Sequence, residues 1–599
     1  MFQSFEATTR PDDAPPRIAA LREAMAKAGV DAVLVPRADA HQGEYVAPSD
    51  ERLAWLTGFT GSAGFAAVTA DRAALFVDGR YTVQAPDQVP TDLIEVLQIP
   101  DAKLSRWLSE ALPEGATVAY DAWLHTVDEV RRLEKALAPK IALAPRGNLV
   151  DAVWSDRPPR PAAPVTVYPD ALAGEGHAEK RARLAKDLRQ AGDHHAVLSL
   201  PDSICWLLNI RGGDIARIPV VHAFAVLGPD ARVDLFTDAP MDDAVHAHLG
   251  EDVRRHPYGA VADHLAGMKG RTLRLDPSSA PEALARAAGD AAVDGDDPCV
   301  LPKARKSAAE LAATRDAHRR DAVAMVEFLA WLDATAQDMA PGALTEIDVV
   351  RALEGFRRQS NALRDISFDT IAGSGPHGAV VHYRVTEGTN RALAPGELLL
   401  VDSGGQYLDG TTDITRTVAI GDPTDEQRAA FTRVLRGMIE VSRARWPKGL
   451  TGRDLDPLAR IHLWRSGQDY DHGTGHGVGV YLSVHEGPAR ISRRTDVALE
   501  PGMILSNEPG YYRAGAFGIR IENLVVVTPA PDLPGADARE MLAFETLTWV
   551  PIDIRLIDGT LPPEDRAWLN AYHATVRDTV APHVGDATRT WLDRATAPI

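Results

Sequence analysis

The sequence predicts an α/β and α+β protein: two related α/β domains, then an α+β domain. Three observations carry this. The first half repeats itself, a proline-rich stretch parts the two copies, and the second half mixes helical stretches with strands that pair as hairpins. At 599 residues the chain is too long for one core, since domains run to roughly 150 residues.

In chain order, Ile18-Ala19-Ala20-Leu21-Arg22 leads by helix into the strand of Ala28-Gly29-Val30-Asp31-Ala32-Val33-Leu34-Val35-Pro36. The second copy runs Ala191-Gly192-Asp193-His194-His195-Ala196-Val197-Leu198-Ser199-Leu200-Pro201. Each is followed by a Trp-Leu pair, Trp55-Leu56 and Trp206-Leu207, and later by an apolar strand ending in aspartate, at Asp78 and Asp238. Between them, Arg157-Pro158-Pro159-Arg160-Pro161-Ala162-Ala163-Pro164 reads as a stiff linker. Ser307-Ala308-Ala309-Glu310 is a capping box that opens a long helix. The divisions expected are therefore 1–156, 165–303 and 304–599, the last ending in a helical extension after Pro562 that supports association.

A formal charge of −20 argues against nucleic acid or an anionic membrane as partner. No apolar run approaches the ~18 residues of a membrane span. Cys205 and Cys299 form no CxxC motif, and residues 1–17 lack an apolar signal core, so a cytoplasmic location is expected.

The chemistry lies in two pairs of acids. Glu397-Leu398-Leu399-Leu400-Val401-Asp402 reads as a buried strand closed by an acid, and Asp413-Ile414-Thr415-Arg416-Thr417-Val418 as a second strand opened by one. A carboxylate at the end of one strand can face another at the start of the next, which suits hard cations. The logic recurs in Gly502-Met503-Ile504-Leu505-Ser506-Asn507-Glu508, followed by a second strand over 518–527 that contains Glu522. In that strand Arg520 and Glu522 share one face by the period of two. Glu522 reads either as a metal ligand or as the partner of Arg520, and the cost of burying a carboxylate among apolar residues favours a cation.

Four carboxylates with one neutral imidazole carry more charge than one divalent ion balances, so two ions are predicted. Paired ions of this kind sit roughly 3.5–4 Å apart, polarise a scissile carbonyl and lower the pKa of bound water. Oxygen-rich ligands suit manganese best, while cobalt, iron and zinc also fit.

His472 and His476 are four residues apart, but Gly473, Gly475, Gly477 and Gly479 argue against a helix and for a turn or strand edge that lets the backbone approach the site. His476 is assigned as the metal ligand and His472 to the pocket wall. His382, in Val381-His382-Tyr383, and His485, in Val484-His485-Glu486-Gly487-Pro488, are candidates for substrate contact, because imidazoles beside a dimetal centre can hydrogen-bond an oxyanion or steer protons.

These residues carry a resemblance. Val401-Asp402-Ser403-Gly404-Gly405, Thr412-Asp413-Ile414-Thr415-Arg416, His472-Gly473-Thr474-Gly475-His476-Gly477, Asn507-Glu508-Pro509-Gly510 and Arg520-Ile521-Glu522-Asn523 resemble the pita-bread metallopeptidases, specifically aminopeptidase P. The segments His41-Gln42-Gly43-Glu44-Tyr45, Leu56-Thr57-Gly58-Phe59-Thr60-Gly61 and Phe76-Val77-Asp78-Gly79-Arg80-Tyr81, with the tail Trp568-Leu569-Asn570-Ala571-Tyr572-His573, resemble its long, three-domain cytosolic form. The resemblance implies two creatinase-like α/β domains and a pita-bread catalytic domain. It implies removal of the first residue from peptides with proline second, two manganese or similar ions, and a homodimer. It implies metal ligation by Asp402, Asp413, His476, Glu508 and Glu522, substrate and transition-state contacts from His382 and His485, and a proline pocket that includes His472. It makes Glu508 a proton shuttle and Tyr512 and Arg520 partners that support the ligands. Glu44 and Arg80 are read either as contacts to the substrate's amino end or as a structural ion pair. The rival functions are a prolidase acting on Xaa-Pro dipeptides and a peptide-binding scaffold without chemistry.

Overall fold

The computed structural model describes residues 1–337 and 342–599, which fall into two compact units, Thr8–Lys303 and Met1–Ala7 with Ala304–Ile599.

The repeat read from the sequence is a repeat of topology. In Thr8–Lys303 one six-stranded sheet runs Glu95–Gln98, Ala73–Val77, Phe65–Thr69, Ala32–Pro36, Thr117–Tyr120, Ala142–Pro145 in spatial order. The other runs Val253–His256, Val233–Phe236, Phe224–Leu227, His195–Leu198, Leu273–Leu275, Ala292–Asp294. Each has an antiparallel centre flanked by parallel pairs. The helix before each central strand stops at a glycine in the left-handed region, Gly29 with φ 64° and Gly192 with φ 82°, where a side chain would be strained. Residues 157–164 form neither helix nor strand. Across this join His41 bonds the Ser199 carbonyl at 2.8 Å and the Tyr258 hydroxyl at 3.0 Å. Cys205 and Cys299 are buried and unbridged.

The second unit opens with the helix Ala308–Gln337, capped as expected: Ser307 N donates to Glu310 Oε2 at 2.7 Å and Glu310 N to Ser307 Oγ at 3.1 Å. Among the described residues the helices Glu346–Gln359, Asp425–Ser442 and Gly452–Trp464 pack with four antiparallel sheets, three of which bear on the site. The first sheet orders Ile371–Ser374, Glu397–Ser403, Ile414–Ile420. The second orders Arg445–Pro447, Met541–Thr546, Asn523–Pro529, Ile504–Asn507, Gly475–Gly477, Glu486–Ile491. The third is the ribbon Gly510–Arg513 with Phe517–Arg520. Met325, Val326 and Phe328 from the long helix meet Leu398, Leu399 and Leu400 and the Phe431, Val434 and Leu435 stripe in one core. Each such buried side chain contributes about 1.5–3 kcal/mol.

Two expectations are corrected. Residues 1–7 belong with the second unit and not with the first α/β domain: Gln3 exchanges hydrogen bonds with Thr370, and Phe5 is buried in the core just described. The strand read over 518–527 is two strands. Phe517–Arg520 pairs in the ribbon and Asn523–Pro529 in the six-stranded sheet, while Ile521 and Glu522 bridge them, their amides donating to Pro509 O and Thr415 O. The tail helix Pro563–Val580 is held by Tyr572, whose hydroxyl meets Arg416 at 3.0 Å. Arg416 is 1% exposed and faces six acceptors, among them the carbonyls of Thr415 and Glu522.

Candidate metal centre

The five residues singled out by sequence converge. Asp402 lies near the end of Glu397–Ser403 opposite Thr415, and Asp413 directly precedes Ile414–Ile420, so the strand pair brings both acids to one end of the hairpin. Glu508 follows Ile504–Asn507, where Asn507 Nδ2 donates to Met438 O and Ser442 Oγ and the Glu508 amide to Thr474 O. Glu522 sits at the sheet switch, its Oε2 accepting from Thr415 Oγ1 at 2.8 Å. His476 is in the short strand Gly475–Gly477, fixed by its amide on Ser506 Oγ at 2.9 Å.

Donor atoms of Asp402, Asp413 and Glu522 lie within 4.8 Å of one another, as do those of His476, Glu508 and Glu522, and of Asp413, His476 and His485. His476 Nδ1 donates to Gly477 O, which leaves the Nε2 lone pair facing Asp413 Oδ2 and Glu508 Oε1, each at 3.4 Å. Burial above all, then Asp402, pushes the Asp413 carboxyl well above the usual carboxylate range. Burial, then Asp413 and Glu508, does the same to Glu522, and burial raises Glu508. Asp402 Oδ1 and Glu522 Oε1 are buried and find no hydrogen-bond donor among the described residues. Repelling carboxylates, orphaned oxygens and an imidazole lone pair aimed at anions all call for cations, so the donor set fits divalent metal.

Around these donors runs a relay that sequence pattern alone does not reveal. Arg520, 1% exposed, donates to Asp402 Oδ2 at 2.6 Å, Thr415 Oγ1 at 3.2 Å, Tyr512 OH at 2.6 Å and Val381 O at 3.4 Å. Tyr512 OH lies 2.8 Å from His472 Nε2, and His472 Nδ1 is taken by Gly473 O, so the phenol donates and the imidazole accepts. Burial pushes the Tyr512 phenol up to about 12, which keeps it a donor at neutral pH. The His485 ring stands edge-on to His476, with centroids 4.2 Å apart. His382 occupies the turn whose Val381 carbonyl meets Arg520. Glu44 and Arg80 belong to the other unit, where Arg80 pairs with Asp78 at 2.7 Å and lies 3.8 Å from Glu44, distances that support the ion-pair reading.

Residues that the sequence reading passed over also shape the site. Thr415 steers both Glu522 and Arg520. Arg460 donates to the carbonyls of Tyr470 and His472, and its partner Asp456 accepts from Thr474, fixing the glycine-rich segment from behind. Thr415 lies in a motif already quoted and could have been found by its alternation with Asp413. Arg460 lies on a helix of ordinary pattern and carries no such signal.

Gly475 shows why that segment needs glycine. A Cβ there would lie 1.9 Å from the backbone oxygen of Ser506, so the two paired strands would have to separate beside His476. Gly475→Ala is expected to destabilise the protein by about 1–3 kcal/mol or more and to weaken metal retention, read by thermal unfolding and metal content; an unchanged melting temperature with full metal would refute it.

Known proteins place the chain. Its residues 17–153 and again 156–310 match the creatinase/prolidase N-terminal domain, 312–529 match metallopeptidase family M24, and 540–599 match the C-terminal region of peptidase M24. Aminopeptidase P1 of Lotus japonicus is 38% identical over 97% of this chain and 99% of its own length. A probable Xaa-Pro aminopeptidase P of Neosartorya fischeri is 40% identical over 97% and 92%. The crystal structure of X-prolyl aminopeptidase from Caenorhabditis elegans, described as a cytosolic enzyme with a di-nuclear active site, superposes with a TM-score of 0.94 at 34% identity, covering 98% of this chain and 100% of that one.

Proposed function

Because this chain belongs to metallopeptidase family M24, and within it to the aminopeptidase P group, we propose that it releases the N-terminal residue from peptides whose second residue is proline. The observation that supports this most is the overlap of two donor groups at Glu522, Asp402 with Asp413 on one side and His476 with Glu508 on the other, which suits two ions sharing a ligand. In this reading Asp402, Asp413, His476, Glu508 and Glu522 hold two divalent ions, manganese foremost, which when bound polarise the scissile carbonyl and lower the pKa of water.

The chain's own groups do the rest. His485, packed on His476, and His382 donate hydrogen bonds to the substrate and to the oxyanion that develops on its carbonyl. Glu508 takes a proton at its carboxylate from the attacking water and returns it to the leaving proline nitrogen. Arg520 and Tyr512 hold Asp402 and His472 in place. An Xaa-Pro bond offers no N–H and a fixed ring, so recognition falls to apolar contact with a shaped wall, to which we assign His472. The reading also includes divisions at 156–165 and 303–304, with residues 1–7 joined to the last of the three, a homodimer and a cytoplasmic location. Among the described residues no helix is long and apolar enough to cross a membrane.

The test is a chelated enzyme reloaded with single ions and offered Xaa-Pro dipeptides beside Xaa-Pro-Xaa peptides. Activity should vanish on chelation, return best with manganese and favour the longer peptides. Cleavage of dipeptides alone would instead make the chain a prolidase, and peptide binding without hydrolysis in every metal-loaded form would make it a scaffold.

A further inference from the structure

Outside the metal centre the buried acid Glu346 meets four donors, and these partners surround a residue that the proposed reaction uses. Glu346 is the first residue of the helix Glu346–Gln359 and is 0% exposed. Its Oε1 accepts from the Ser374 amide at 2.8 Å and from His377 Nδ1 at 2.9 Å. Its Oε2 accepts from Tyr383 OH at 2.9 Å and from the Arg391 amide at 3.4 Å. Two of these donors precede His382 in the chain and two follow it. One carboxylate thus gathers both arms of the segment that presents His382.

The same segment is tied on its other side. Arg520, which holds Asp402, also reaches Val381 O, and Gly378 packs so closely on Gly518 that a Cβ on Gly518 would lie 1.7 Å from the Gly378 oxygen. His382 therefore stands between a tether to the metal-ligand side and a tether to Glu346. The tethers are specific in chemistry: all four groups that Glu346 meets are donors, and burial together with the Glu346 charge drives the Tyr383 phenol far above its ordinary range, so it stays a donor. An amide in place of the carboxylate would turn one set of N–H groups against those donors.

We propose that Glu346 is a positioning residue that sets the 375–391 segment so that His382 is aligned for the substrate. The proposal rests on the reading of His382 as a substrate contact, and a misplacement of about 1 Å can cost on the order of 10²-fold in rate.

The experiment compares Glu346→Gln, Tyr383→Phe, His382→Ala and Glu346→Gln/His382→Ala as full-length, metal-loaded enzymes. Glu346→Gln should keep its metal, lose about 10- to 100-fold in kcat/KM on an Xaa-Pro-Xaa peptide, and show in its crystal structure a displaced 380–384 turn that no longer meets Arg520. The double variant should be no slower than His382→Ala alone. Tyr383→Phe, which removes one donor and leaves the carboxylate, should show a smaller loss that disappears in the His382→Ala background, and it serves if Glu346→Gln does not fold. An undisplaced turn, or losses that multiply in the double variant, would overturn the proposal. Wild-type turnover by His382→Ala would strike the reading of His382 instead; the two failures are told apart because the turn is read from coordinates and not from turnover.

Discussion

Asp413→Asn and Glu522→Gln are each expected to lower kcat/KM by about 10³-fold or more, equivalent to about 4 kcal/mol of transition-state stabilisation. Each side chain contributes to two of the three donor groups, so each substitution weakens more than one set at once. The loss should come with fewer than two ions per chain after dialysis, measured by elemental analysis. Unfolding is not the expected cause. Burial and neighbouring carboxylates already drive both groups toward their neutral forms without a cation, so an uncharged amide relieves repulsion and the metal-free variants should melt no lower than the metal-free parent. Full metal content and undiminished turnover in either variant would reject the assignment.

Lys306→Met is expected to destabilise the second unit by about 3–5 kcal/mol. The Lys306 ammonium and the Glu486 carboxylate form an ion pair in which each side chain is 2% exposed. Removing the cation takes the ammonium partner from a carboxylate that stays desolvated, and this lost charge compensation, more than the lost packing, costs stability. Lys306→Met/Glu486→Leu should therefore recover most of the loss in chemical denaturation. A double variant as unstable as the single one would show that the packing around Lys306, and not the charge, sets the stability there.

Most of the local architecture was legible because local rules govern it. Ser307 and Glu310 announce a helix start, the apolar run 398–401 closed by Asp402 and the alternation over 413–418 announce the hairpin that carries two acids, and glycines at 473–479 exclude the helix that His472 and His476 would otherwise suggest. The acids at 402, 413, 508 and 522 stood out because a carboxylate at the edge of an apolar strand, or within one, needs a partner. What was hidden depends on partners far along the chain. Gln3 meets Thr370, Lys306 meets Glu486, and Glu346 meets Tyr383, and nothing in the residues on either side of these positions tells of the pairing. The break at Ile521 was hidden for another reason. The alternation of Ile519, Arg520, Ile521 and Glu522 leads straight into the apolar run Leu524–Val527, so only the competing ladders of the ribbon and the six-stranded sheet decide where one strand ends.

That break has a consequence for how the protein can change. Glu522 is clamped by Thr415 through both its amide and its carboxylate, while the ribbon before it closes through the turn Ala514-Gly515-Ala516, exposed at Ala514 and Gly515. The register that sets Glu522 against Asp413 is therefore held by Thr415, on a different sheet from the ribbon that carries Tyr512 and Arg520.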